Sequence, residues 1–341
     1  MCAQRTGAGL VSNGCTQSLT TEDPHYRAKL VFSFATIYLV WGSTYLTTKL
    51  GVAELPPFLF GAVRFISGGL LLYAIAWWLA AREQRPRPRP LAHDWRNLAL
   101  VGCFAVLVSN GGNIWGLQYV PSNQAALLNV SAAFWIPLFG LFGRRAQAVP
   151  IRVTLGLGVG FFGTVLVAWS GEDSAAAQLG HDLGAWPVLA VLLGCVGWSA
   201  ATFYMRNVET GLDVMAFTGL QMLLGGLMML VPALLLGEPA RWHWSPVGFA
   251  SLIYMTLFSS CLAYTAYAWL SVHVAPAQVG TYGFVNPAIA VLLGWWILDE
   301  ALSPMQMIGT AIIFAAMLWI NWPGSARRAA PSAEPQNPVD R

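Results

Sequence analysis

Charge is what this sequence has least of. Only 10% of its 341 residues are Asp, Glu, Lys or Arg, against about 25% in an ordinary soluble domain. So little charge cannot cover a water-solvated surface, which excludes a standard cytosolic enzyme and a disordered chain. A net charge of +3 is too small for a polyanionic partner, so no nucleic acid is expected. Cysteine is scarce too: Cys2 and Cys15 lie in a polar stretch, while Cys103, Cys195 and Cys261 fall singly in apolar ones, with no disulfide or metal spacing. The patterns HExxH, GxSxG, GxxxxGK[ST] and GxGxxG do not occur. Neither a catalytic residue nor a metal or cofactor is therefore expected, and without a phosphate-cradling loop ATP-driven pumping is not expected either.

What is present fits a bilayer. Hydrophobic residues make up 56% of the chain, with 16 Trp, 17 Phe and 34 Gly; aromatic rings anchor at membrane interfaces and small residues let helices approach closely. Ten apolar stretches stand near 30–48, 56–80, 97–117, 123–142, 152–170, 184–205, 213–236, 246–270, 277–298 and 304–322, most of them long enough to span as helices. The expected fold is an all-α polytopic membrane protein of ten transmembrane helices. Residues 1–28 match neither a signal nor a transit peptide and, like 324–341, read as a disordered cytoplasmic tail.

The basic residues orient the spans. With the amino terminus cytoplasmic, all 18 Lys and Arg fall in cytoplasmic segments except Lys49 and Arg241, which fall outside, and Arg64, which lies inside span 2. That asymmetry obeys the positive-inside rule and requires an even number of spans, with both termini cytoplasmic.

The halves repeat. Trp41 to Lys49 aligns with Trp198 to Arg206, and at the same offset Phe60 meets Phe217, Arg64 meets Gln221, and Gly68-Gly69 meets Gly225-Gly226. Further on, Gln124 meets Gln278, Gly140 meets Gly294 and Gly156 meets Gly309. Each repeat, 29–171 and 183–323, holds five spans. That number is odd, so the second inserts upside down relative to the first, and such repeats place a binding site near the bilayer midplane where the halves meet.

Several motifs resemble the EamA-type carriers of the drug/metabolite transporter superfamily: Leu39-Val-Trp-Gly-Ser-Thr44 in span 1, Pro56-Pro57 with Arg64-Phe65, and Asn286-Pro287 through Gly294 to Asp299-Glu300, followed by Gly309. The resemblance covers nearly all of 30–322. It implies two inverted five-helix halves around a central cavity and the movement of small organic metabolites, with an inner-membrane location. The first repeat departs from the pattern: no acid lies between Gly140 and Gly156, and Ala133 stands where the second repeat has Pro287. Glu300 is placed to cap the helix that follows it.

Polar and aromatic residues inside the spans are the candidate substrate-binding set, because amides and hydroxyls in hydrocarbon need partners. They are Trp41, Ser43, Thr44, Arg64, Asn110, Asn113, Trp115, Asn129, Trp198, Ser199, Thr202, Tyr264, Tyr267, Tyr282 and Asn286. Arg64 has two readings open: it receives a substrate carboxylate, or it snorkels outward or ties span 2 to a neighbouring loop. Ser109-Asn-Gly-Gly-Asn113 either packs helices closely or forms a broken-helix site. Pro137 and Pro287 free carbonyl groups in mid-helix. Every acidic residue falls in a tail, a loop or a helix end, so no mid-membrane carboxylate relay is expected. The basic run from Arg82 to Arg96 serves topology or touches anionic headgroups.

The expected function is a secondary transporter, an exporter of small organic metabolites such as amino acids or related zwitterionic and aromatic compounds, working by alternating access as a monomer or homodimer. The alternative is a multispanning membrane enzyme or lipid-handling protein, which would need a nucleophile with its base, or a metal triad, inside the spans.

Overall fold

The structure, a computed structural model, describes residues 24–140, 151–169, 183–205, 208–274, 279 and 281–321. Most of both expected tails, the acidic loop at 171–182, and the repeat partners Arg206 and Gln278 lie outside the described residues.

Among the described residues ten helices follow one another, at the places expected: α1 (Pro24–Glu54), α2 (Pro57–Arg82), α3 (Ala92–Gly116), α4 in two pieces (Ser122–Asn129 and Ala132–Gly140), α5 (Ile151–Trp169), α6 (Trp186–Met205), α7 (Val214–Leu235), α8 (246–273), α9 (Tyr282–Leu298) and α10 (Pro304–Asn321). By length and composition α1, α2, α3, α6, α7 and α8 suffice to cross a membrane, while α5, α9 and α10 carry shorter apolar stretches. α1 starts inside the stretch expected to be a tail, where Tyr26 donates to the His273 carbonyl (3.4 Å) and packs on Trp269.

Helix contacts come in exchange-related sets. α1 packs on α8 and α9 as α6 packs on α3 and α4; α3 meets α7 as α8 meets α2; α2 crosses α7, and α5 crosses α10. Glycines make the α2–α7 crossing tight. A Cβ added at Gly69 would lie 2.6 Å from the Gly219 carbonyl oxygen, and one at Gly226 2.8 Å from the Ile66 backbone nitrogen. Gly68 in turn faces Ser260, at 2.9 Å. Backbone approach at this range replaces the hydrophobic drive that lipid surroundings remove. Gly69→Val should therefore destabilise by about 1–3 kcal/mol through overpacking, whereas Gly158→Ala, with nothing within 4 Å, should gain up to about 1 kcal/mol of helix propensity. Melting temperatures in detergent check both.

Helix ends are stopped and started by named residues. α7 is capped by Asp213, which accepts from Ala216 N–H, and α8 by Ser245, which accepts from Gly248 N–H. α10 has a reciprocal box, Gln306 N–H to Ser303 Oγ (3.1 Å) and Ser303 N–H to Gln306 Oε1 (2.9 Å). Glu300 therefore does not cap the helix after it. Its carboxylate reaches the other half, accepting from Ser122 N–H (2.7 Å), Ser122 Oγ (2.8 Å) and Asn123 N–H (2.9 Å) at the start of α4. Glu238, fully buried, does the same for α2, accepting from Leu59 N–H (2.6 Å) and Phe58 N–H (3.3 Å). Burial holds the Glu238 carboxyl above its ordinary value, against the pull of those donors and of Arg241. These acids are not solvated loop residues: each satisfies N–H groups that a helix start leaves orphaned.

Candidate transport cavity

A cavity of about 330 Å³ opens between the two sets of five helices. Its walls come from the middle of α1 (Trp41, Thr44, Tyr45, Thr48), from α2 (Arg64), α3, both pieces of α4, α6 (Trp198), α8 and the start of α9. Of the expected residues, Trp41, Thr44, Arg64, Asn110, Asn113, Asn129, Trp198, Tyr264, Tyr282 and Asn286 line it.

The others do not line it, and their polar groups or their rings are taken up by neighbouring residues. Ser43 Oγ bonds the Tyr254 hydroxyl (2.6 Å) and the Val40 carbonyl (2.9 Å). Ser199 donates to Ala132 and Cys195 carbonyls, both at 2.8 Å, and Thr202 donates to the Trp198 carbonyl. Trp115 stacks obliquely on Tyr119. Tyr267 stands behind the wall, its ring against Trp41 (5.3 Å) and Tyr282 (6.0 Å). Tyr45, Thr48, Ser109, Met255, Ser259, Gly283 and Pro287 line the cavity without having been singled out as binding residues; Tyr45, Thr48, Ser109, Gly283 and Pro287 stand within about one turn of residues that were, whereas Met255 and Ser259 carry no such signal.

Two stretches of π-helix shape the walls, Cys103–Asn110 in α3 and Met255–Ala263 in α8. They occupy corresponding places in the two repeats. A π-turn inserts an extra residue and re-aims the side chains around it. In α3 it lets Asn110 Nδ2 donate to the Ala105 carbonyl (2.7 Å), five residues back. Asn113 Nδ2 donates to the Ser109 carbonyl, and Asn129 Nδ2 donates to Asn113 Oδ1 and to the Ala125 carbonyl, linking α3 to α4.

The broken helix lies in α4 and not at Ser109–Asn113. There the backbone leaves the α-helix at Val130 and Ser131, whose N–H groups reach back only three residues, to Leu127 and Leu128 carbonyls. Side chains of α6 reach carbonyls on both sides of the break: Ser199 Oγ donates to Ala132 and Cys195 Sγ to Leu128 (3.5 Å). Glycines 111, 112 and 116 instead serve close packing, an added Cβ at Gly112 meeting the Ala190 oxygen at 2.4 Å.

Arg64 is 4% exposed and points inward, which removes the snorkelling reading. Its Nε donates to Ser260 Oγ (3.3 Å) and its Nη2 to Ser259 Oγ (3.2 Å), both on the α8 π-segment. Among the described residues no carboxylate pairs with it. Trp41 Nε1 donates to the Ser259 carbonyl (3.4 Å), so the guanidinium and the indole meet at one residue. Tyr264 and Tyr282 set their edges on Trp41 at 5.2 and 5.3 Å. On α9, Pro287 has no N–H and leaves the Gly283 carbonyl without its helical donor. Asn286 Oδ1 beside it, in a side chain 7% exposed, has no hydrogen-bond partner. The cavity thus offers one fixed cation, acceptors without donors, and an aromatic wall.

Comparison with known proteins bears on what this cavity is for. The profile described as the EamA-like transporter family matches residues 29–169 and 185–322. Similar curated proteins include the uncharacterized inner membrane transporter YedA of Escherichia coli K12, 30% identical over 83% of this chain and 88% of that protein, and the uncharacterized transporter YvbV of Bacillus subtilis, 24% identical over 90% and 95%. A WAT1-related chloroplastic protein of Arabidopsis thaliana is 24% identical over 84% of this chain and 68% of that one. A solved crystal structure shares the fold with a TM-score of 0.57 and 19% identity, over 86% of this chain and 96% of its own.

Proposed function

Because the chain belongs to the EamA-like transporter family, we propose that it is a secondary transporter that exports small organic metabolites, zwitterionic or aromatic compounds such as amino acids, across the inner membrane, with both termini cytoplasmic. One observation carries the reading: Arg64 and the Trp41 aromatic wall converge on Ser259 in a single cavity between the halves. A carboxylate on the solute satisfies the guanidinium, Asn286 Oδ1 and the Gly283 carbonyl take its N–H donors, and an ammonium or ring rests on the indole face.

Alternating access needs ties between halves that form and break at each end. At one end Glu300 of the second half holds α4 and Glu238 holds α2. At the other, Tyr204 bonds Asn97 (2.9 Å), Thr210 bonds Asp94 (2.8 Å) and Tyr38 bonds Thr281 (2.6 Å). Rocking of one half against the other releases one set while the second persists, which exposes the midplane site to each side in turn.

Proteoliposomes containing a panel of labelled solutes test this. Flux of an amino acid should fall at least tenfold in Trp41→Ala and Asn286→Ala at unchanged melting temperature, while Trp169→Ala, on a ring 65% exposed, keeps it. If another solute class moves and amino acids do not, the substrate assignment is wrong; if flux survives the cavity substitutions, the cavity is not the path.

A further inference from the structure

The basic end of α2 carries an arrangement that the transport cavity does not explain. α2 stops at Arg82, and Gln84, with φ 54°, turns the chain back. Arg85 N–H then bonds the Ala80 carbonyl (2.9 Å), and the Tyr73 hydroxyl donates to the Pro88 carbonyl (2.8 Å). Pro88 is buried by this tether, so the segment carrying the basic residues lies along α2 instead of extending away from it. The returning chain lays the Arg87 guanidinium over the Trp77 ring, 4.0 Å from its centroid, and Arg82 sits 5.4 Å over Trp78.

Both rings are exposed, at 40% and 54%, and so are Leu70 and Leu71 one heptad earlier on the same face. The stripe Leu70, Leu71, Trp77, Trp78 therefore runs from hydrocarbon depth to the interface, with two guanidinium groups at its head. Their counter-charge is missing. Arg85 is neutralised by Glu83 at 2.7 Å, but among the described residues no carboxylate pairs with Arg82 or Arg87. Stacking on indole orients a guanidinium while leaving its N–H edge free for an oxyanion.

We propose that Arg82 and Arg87, stacked on Trp78 and Trp77, form a seat for the headgroup of an anionic phospholipid whose acyl chains lie along Leu70 and Leu71. The phosphate accepts from both guanidinium groups in charge-assisted hydrogen bonds, and the stripe adds apolar contact that a free phosphate ion cannot make. The seat requires only that α2 face lipid; it does not depend on which solute crosses the protein.

Native mass spectrometry of the full chain, released from mixed micelles holding equal phosphatidylglycerol and phosphatidylcholine of identical acyl chains, is the test. The protein should retain phosphatidylglycerol preferentially. Arg82→Gln with Arg87→Gln should cut that preference about thirtyfold, at roughly a factor of five for each basic residue near an anionic surface. Arg85→Gln should leave it intact. Trp77→Leu with Trp78→Leu, which keeps the apolar stripe and both charges, should also weaken it and serves if the arginine pair does not fold. The proposal is overturned if the protein shows no preference, if Arg85→Gln removes it as fully as the double variant, or if both double variants retain it. Displacement of the lipid by millimolar inorganic phosphate would equally overturn it, since the seat would then read a free oxyanion.

Discussion

Glu300→Ala is expected to destabilise the folded protein by about 2–5 kcal/mol. Ser122 and Asn123 are 0% and 1% exposed, so the water that rescues most frayed helix ends cannot reach their N–H groups. Each buried donor left unsatisfied costs about 1–3 kcal/mol, and the carboxylate also complements the positive end of α4. Glu300→Gln separates the two contributions. The amide oxygen still accepts one N–H, but the charge is lost and an NH₂ group now faces a donor, so about half the loss is expected. Thermal unfolding in detergent measures both variants. Because this contact joins the second half to a helix that lines the cavity, flux should fall in parallel with the melting temperature; a stable Glu300→Ala protein would show that α4 starts on some other support.

Arg64→Met should do the reverse, abolishing transport while leaving the protein as stable or more so. A guanidinium buried without a carboxylate is costly to keep, because two serine hydroxyls replace only part of its hydration. Met is of similar length and carries no such cost. If the charge is held for the solute, at least a tenfold loss of flux and of ligand-induced thermal shift follows, with the melting temperature of the empty protein unchanged or raised. Arg64→Lys should recover little, since one ammonium cannot engage Ser259, Ser260 and a solute oxyanion in the fork that Arg provides. Collapse of Arg64→Met would instead mark Arg64 as a packing residue that holds α2 to the α8 π-segment.

Much of the architecture was legible in the chain. Ten apolar stretches became ten helices among the described residues, and of the glycine pairs matched by alignment Gly69 and Gly226 both sit in the α2–α7 crossing, while Gly68 and Gly225 face α8 and α3. Ten of the fifteen polar and aromatic candidates line the cavity, yet composition could not say which of them face it. Ser199 and Ser259 look alike in sequence, each a hydroxyl directly after an aromatic residue, Trp198 and Phe258. Ser199 is spent on the Ala132 carbonyl of α4, and Ser259 receives Arg64.

Long apolar runs, scarce charge and an internal repeat determine by themselves that this chain is a ten-helix membrane protein, because the bilayer tolerates backbone only as helices or closed barrels and continuous apolar runs of about 20 residues fit the helix. The tertiary structure alone decided the π-segments, the break at Val130–Ser131, and the reach of Glu300 and Glu238 across the halves. Each of these depends on which carbonyl or N–H a distant residue satisfies. Hydropathy periodicity is local and does not record partners 178 or 180 positions away.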